Sequence, residues 1–154
     1  MADETTTTTA NETVSPPVAA PAKPDKGGYI WGTGRRKSSV ARVRIKPGEG
    51  KFVINGRPFD KYFTEPRDCK NVFEPLRQTK TQDGLDVYVD VKGGGYTGQA
   101  GAVLLGLARA LKRHDPSLEP ILRDHNFLTR DPREVERKKY GQPGARRRFQ
   151  FSKR

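Results

Sequence analysis

The sequence predicts an α+β domain flanked by two segments that cannot fold on their own account. Three observations carry this. Apolar and polar residues alternate with a period of two at 41–45 and again at 85–92. Apolar residues recur with helical spacing at 100–111, and no second parallel strand follows that helix. The last point excludes a doubly wound sheet, for which the folded region is also too short.

Taken in order, residues 1–28 hold two basic and four acidic residues among Thr, Ala and Pro. They lack both the apolar core of a signal peptide and the Arg-rich, acid-poor character of a transit peptide, so a disordered extension is expected. A globular domain is expected over 29–127. Gly32-Thr33-Gly34 reads as a flexible lead, and Arg35, Arg36 and Lys37 as a basic approach to the first strand. In that strand Ala41, Val43 and Ile45 make a buried face and Arg42 and Arg44 a charged one. Pro47-Gly48-Glu49-Gly50 supplies a turn and Phe52-Val53-Ile54 a second strand ending at Asn55-Gly56, so a hairpin with a basic face is expected.

The segment FDKYF at 59–63 supports one helical turn. A fuller helix is expected from Pro66 to Leu76, where Cys69, Val72, Phe73 and Leu76 share one buried stripe. Cys69 is then structural, because a catalytic thiol needs exposure and a basic partner. Leu85, Val87, Val89 and Val91 mark a strand, and the glycines from Gly93 lead into the longest amphipathic helix, with Ala100, Val103, Leu104, Leu107, Ala108 and Leu111 on its buried side. Arg109, Lys112, Arg113 and His114 gather at its end, where cations suit the carbonyl pole of the helix dipole. Asp115-Pro116 opens a short helix to His125, stopped by Asn126. Asp131, Pro132 and Glu134 match a capping box, predicting a last helix to Tyr140 in which Glu134 faces Lys138. Arg133, Arg137 and Lys139 are then left less neutralised, with Arg130 just ahead of the helix.

Composition narrows the function. The chain has 154 residues, a net charge of +12 and a pI near 10.1. Residues 130–154 carry ten basic and three acidic residues, and the domain between the two termini is basic as well. Such a balance points to a nucleic-acid partner, with a membrane surface disfavoured by the lack of a long apolar run. The single cysteine excludes an internal disulfide, and with only His114 and His125 beside it no zinc set of ordinary spacing exists. No nucleophile with a base and no paired carboxylates stand out, so no catalytic residue, metal, cofactor or small-molecule substrate is expected.

Gly93-x-Gly95-x-x-Gly98 matches the dinucleotide fingerprint, but the segment after its helix reads as helix instead of the strand that fingerprint requires. A phosphate of a nucleic-acid backbone suits the site better, with Lys92, Gly94 and Gly95 about the helix N-terminus. The last fourteen residues hold Arg146, Arg147, Arg148, Lys153 and Arg154 and no acid. Phe149 and Phe151 are too little apolar surface to offset the entropy of ordering, so this arm needs a polyanion. Extended, it reaches about 45–50 Å.

Together GTGRRKSSVARVRI at 32–45, GGGYTGQAGA at 93–102, LTRDPREVERKKYG at 128–141 and ARRRFQFSKR at 145–154 resemble the bacterial small-subunit ribosomal protein nine family. Val40 and Phe149 stand where that family often has Ala and Pro. The resemblance implies a ribosomal protein S5 domain 2-like fold, a mostly antiparallel sheet with helices on one face and a left-handed crossover. It implies residence in the head of the small subunit, in the bacterial cytoplasm, among neighbouring proteins seven, ten and fourteen. It also implies that Arg146 to Arg148 lie on ribosomal RNA, while Ser152, Lys153 and Arg154 meet peptidyl-site transfer RNA. The other ribosomal RNA contacts expected are Arg35, Arg36, Lys37, Arg42, Arg44, Lys92, Gly94, Gly95, Arg130, Arg133, Arg137, Lys138 and Lys139. A free nucleic-acid chaperone or nucleoid protein is the alternative, and a nucleotide-binding enzyme using the Gly93–Gly98 loop the last.

Overall fold

The computed structural model describes residues 23–152. The disordered extension expected over 1–28 therefore falls mostly outside the described residues, as do Lys153 and Arg154. Five strands form one sheet in the order β1-β2-β5-β3-β4. These are β1 (Ile30–Arg36), β2 (Ser39–Pro47), β3 (Phe52–Ile54), β4 (Arg57–Pro58) and β5 (Leu85–Lys92). All neighbours are antiparallel except β3 and β5, which run parallel. The helices are α1 (Phe59–Tyr62), α2 (Pro66–Gln78), α3 (Tyr96–His114) and α4 (Glu119–Asp124), the last preceded by a 3-10 turn at Pro116–Leu118. The fold is thus the expected mixed α+β type with a mostly antiparallel sheet.

Period-two alternation produces the two faces. Ala41, Val43 and Ile45 of β2 lie opposite Val91, Val89 and Val87 of β5, and all six are buried. Helix α3 packs on this face across β1 and β2, with α2 beside it. On the other face Trp31, Arg44 and Tyr88 form a row across three strands, next to Thr33, Arg42 and Asp90.

Two strand expectations need correcting. Gly32-Thr33-Gly34 is no flexible lead: it is the middle of β1, paired with Arg42 and its neighbours in β2. A Cβ on Gly32 would overlap the Gly106 carbonyl oxygen of α3, and one on Gly34 that of Ala102, so these glycines let helix and strand approach backbone to backbone. The expected hairpin of β2 with β3 does not form either, because β5 lies between them. The loop after Pro47 is instead drawn over the start of β5 by the Asp86 carboxylate, which accepts from the backbone N–H groups of Glu49 and Lys51 at 3.0 Å each. The real hairpin joins β1 to β2 through Lys37 and Ser38, with Lys37 at φ 51°.

The helix predicted over Pro132–Tyr140 is absent, and these residues form neither helix nor strand and are exposed. Asp131 accepts from the Arg133 N–H at 3.1 Å as a cap would, but Glu134 pairs with Arg130 and not with Lys138. Val135 and Tyr140 are 95% and 94% exposed, so a helix here would bury no apolar face, and short helices need that burial more than they need caps.

Two outcomes follow. Gly34→Ala should cost about 1–3 kcal/mol or more, as overpacking against rigid atoms does, read as a lower urea midpoint at unchanged m value. The Asp86 carboxyl is held below its usual range, chiefly by the Lys51 N–H and then by the Glu49 N–H and the Lys46 and Lys51 charges. Its stabilisation is complete above the unfolded value of about 3.9 and is lost as pH falls through the lowered folded value. Asp86→Asn should therefore flatten the acid limb of a stability-versus-pH curve, while a limb unchanged below about pH 4 would contradict the role given to Asp86.

Candidate nucleic-acid interface

The predicted basic residues fall into three groups. The first converges where the β1–β2 hairpin meets the N-terminus of α3. Gly93 and Gly94 take positive φ, 76° and 64°, and lie against Ser38 and Ser39 of the hairpin. Lys37, Lys92, Gly94 and Gly95 are exposed here, and Gly95 starts α3 without any side-chain cap. The unpaired N–H groups of that first turn favour an anion. One carboxylate already serves this pole: buried Asp68 accepts from the Thr97 hydroxyl at 3.1 Å. Below the loop the Ser39 hydroxyl is wholly buried and finds no partner among the described residues.

The second group is the open face of the sheet. Arg42 lies over the Trp31 ring at 5.2 Å, Arg44 between Tyr29 and Trp31 at 5.9 and 5.7 Å, and Lys46 between Tyr29 and Tyr88 at 5.7 and 5.5 Å. These cation–π contacts hold the side chains flat, giving a layer of alternating cations and rings on a rigid support. Asp90 pairs with Arg44 at 3.4 Å and leaves Arg42 without a carboxylate among the described residues. Sequence reasoning found Arg42 and Arg44 but missed Tyr29, Trp31, Lys46 and Tyr88. The signal was available for Trp31: once Gly32 and Gly34 are buried, period two puts Trp31, Thr33 and Arg35 on the opposite face.

The third group is the segment after α4. Asp131 binds Arg133 at 2.8 Å and Arg36 at 3.0 Å, tying this segment to the end of β1. Its carboxyl is held far below the usual range, first by the Arg133 side chain, with Arg36 contributing charge. Arg146 turns back to Glu136, with nitrogen–oxygen distances of 2.5 and 2.9 Å, an intrachain partner that the sequence did not reveal. Arg137, Lys138, Lys139, Arg147, Arg148 and Ser152 are exposed, as are Phe149 and Phe151.

Between the first and third groups lies an open groove of about 430 Å³. Arg35, Arg36, Arg67 and Arg133 line it, with a His125 ring stacked on Phe127 at 5.4 Å and 16°. Arg67, His125 and Phe127 were not singled out from the sequence, because they become neighbours only through tertiary packing.

Other chemistry is poorly served. The half-buried Cys69 thiol donates to the Phe63 carbonyl at 3.1 Å and is pushed above its usual value, mainly by burial and then by Asp60 and Asp68. That is the reverse of an activated nucleophile. After α3 come a 3-10 turn and α4, so the glycine loop lacks the second strand of a dinucleotide fold. Among the described residues no group of three or more His, Cys, Asp or Glu could hold a metal ion, and no helix is long and apolar enough to cross a membrane.

An α+β domain with a cation-and-ring sheet face, an open helix N-terminus and an exposed basic arm has the surface chemistry that suits a polyanion. The family model for ribosomal protein S9/S16 matches residues 34–154, and the chain belongs to that family, whose members are ribosomal structural proteins and not enzymes. Its relatives include the small ribosomal subunit protein uS9 of Thermotoga maritima and that of Thermotoga sp. strain RQ2, each 54% identical over 130 residues covering 82% of this chain and 96% of the relative. The uS9 protein of Thermotoga neapolitana is 53% identical over the same span.

Trp31, the sole tryptophan, reports on the open face. Saturating heparin, used as a generic polyanion, should change its emission, and Arg42→Ala should shrink the change by about half as one of its two guanidinium neighbours is lost. Constant emission at saturation would put polyanion binding elsewhere.

Proposed function

We propose that this chain is a structural constituent of the small ribosomal subunit that binds ribosomal RNA and supports peptidyl-site transfer RNA. Ribosomal RNA is met by Arg35, Arg36, Lys37, Lys92, Gly94 and Gly95 at the hairpin end, and by Arg42 and Arg44 on the open sheet face. Arg130, Arg133, Arg137, Lys138 and Lys139 follow it along the segment after α4, and Arg146, Arg147 and Arg148 along the arm. Ser152, Lys153 and Arg154 then reach transfer RNA. In the subunit head, proteins seven, ten and fourteen are its neighbours, and the bacterial cytoplasm is its location.

The observation that carries this reading is the arm. Residues 132–152 form neither helix nor strand, and Arg147 and Arg148 make no ion pair among the described residues. Phosphates supply what the fold withholds: each cation that neutralises one releases a counterion and steepens the salt dependence of binding by about 0.7 to 0.9 in log–log slope. The names of the uS9 relatives, which match nearly their full length, support the subunit as the setting.

The test uses subunits reconstituted with the full chain or with one lacking Ser152–Arg154. Both chains should remain in the subunit through a high-salt wash, and the shortened one should weaken peptidyl-site transfer RNA by about tenfold, the equivalent of one charge-assisted hydrogen bond of about 1.5 kcal/mol. Equal transfer RNA affinity would remove the arm's role. Release of the full chain by the wash would remove the subunit assignment.

A further inference from the structure

The groove beside the hairpin end has properties that phosphate neutralisation alone does not use. It gathers four guanidiniums, Arg35, Arg36, Arg67 and Arg133, around one carboxylate, Asp131. That carboxylate is fully engaged by Arg133 and Arg36, so Arg35 and Arg67 have no acidic partner among the described residues. The Nε of Arg36 is buried in the structure and makes no hydrogen bond, although Nη1 of the same group donates to the Thr97 carbonyl. Asp68 lies behind Thr97 and does not line the groove. The local excess of positive charge is therefore not balanced from within the fold.

The same groove is also lined by an aromatic pair. His125 is exposed and rests flat on Phe127, which is itself buried at 9% exposure, so the imidazole has one face supported and the other free. Its position is fixed by the end of α4: Asn126 takes φ 57°, and the Phe127 N–H returns to the Leu122 carbonyl at 3.0 Å. A supported ring and a cluster of guanidiniums line one groove of about 430 Å³, which combines a stacking surface with phosphate-binding groups in a space large enough for one nucleotide.

We propose that this groove receives a single unstacked nucleotide of an RNA strand, its base on His125 and its phosphate between Arg67 and Arg35. This deepens the ribosomal RNA reading, on which it rests, by assigning a base-stacking subsite separate from the arm. Arg133 and Arg36 act through Asp131 as a strut that keeps the groove's two walls at their distance. An acidic peptide would satisfy the arginines equally well, but would gain nothing from a flat supported ring.

The full-length chain is titrated with a single-stranded RNA hexamer, with adenosine monophosphate, with inorganic phosphate and with a hexaglutamate peptide, and the His125 ring signals are followed by NMR. RNA should move those signals upfield as a base stacks, adenosine monophosphate should do so only at far higher concentration, and phosphate and hexaglutamate should leave them in place. His125→Ala should weaken RNA binding by about tenfold at unchanged salt slope, as loss of one stacked base does. Arg67→Ala should lower that slope by about 0.7. Both side chains are exposed, so unchanged thermal melting checks the fold of each variant. The groove assignment is overturned if RNA binds with the His125 signals unmoved, if hexaglutamate competes as well as RNA, or if adenosine monophosphate binds as tightly as the hexamer. RNA binding that persists through the arm and the sheet face would leave the broader ribosomal reading standing, whereas no RNA binding at all would sink both.

Discussion

The hairpin end and the open sheet face are positioned by the contact between α3 and the first two strands. Gly32 and Gly34 remove the side chains of β1 where it passes under the helix, and Gly106 does the same from the helix side, its missing Cβ leaving room for Val43. At Gly32 and Gly34 backbone then lies on backbone, with no β1 side chain between to tilt or slide. The N-terminus of α3 is thereby locked against the hairpin turn, and the glycine loop, Lys37 and Lys92 keep one arrangement. The same contact leaves the opposite face of β1 and β2 bare, where Trp31, Arg42 and Arg44 stand.

On this frame the acids are spent locally. Asp131 serves Arg36 and Arg133, Glu136 serves Arg146, Asp90 serves Arg44, and Glu119 serves both Lys112 and Arg123. Exposed pairs of this kind add little stability, but they decide which cations stay available. Those left over, among them Arg35, Arg67, Arg42, Lys92, Arg147 and Arg148, are spread over more than one side of the domain and along the arm. A ligand that meets them all must itself be extended, folded and densely anionic, which describes structured RNA better than a linear duplex or a lipid surface.

How much of this was legible in the sequence depended on how local the cause was. Strands β2 and β5 and helix α3 announced themselves because burial on one side imposes a period that composition cannot hide. Strand β1 was missed for the opposite reason: its buried positions are glycines, demanded by a helix seventy residues away and silent in any hydrophobic pattern. The β2–β3 hairpin failed because nothing in a turn sequence reveals that a later strand will insert beside it. The helix at 132–140 failed because capping signals are local and burial is not. Of the candidate site, the cations and the glycine loop could be read directly. The rings beneath the cations, and the meeting of Arg67 with His125, belong to packing and had no linear signature.

The outer rim of β1 is closed in an uncommon way. Arg109 and Arg113, one turn apart on α3, donate to the carbonyl oxygens of Thr33 and Trp31 at 2.8 and 2.7 Å. β1 ends the sheet, so these carbonyls would otherwise stand open as a template for another strand. Occupying them with guanidinium groups denies that template to a second molecule and adds like-charge repulsion against its approach. The sheet edge nearest the exposed rings is thus the one that α3 itself covers, and strand addition there would first have to displace two charge-assisted hydrogen bonds.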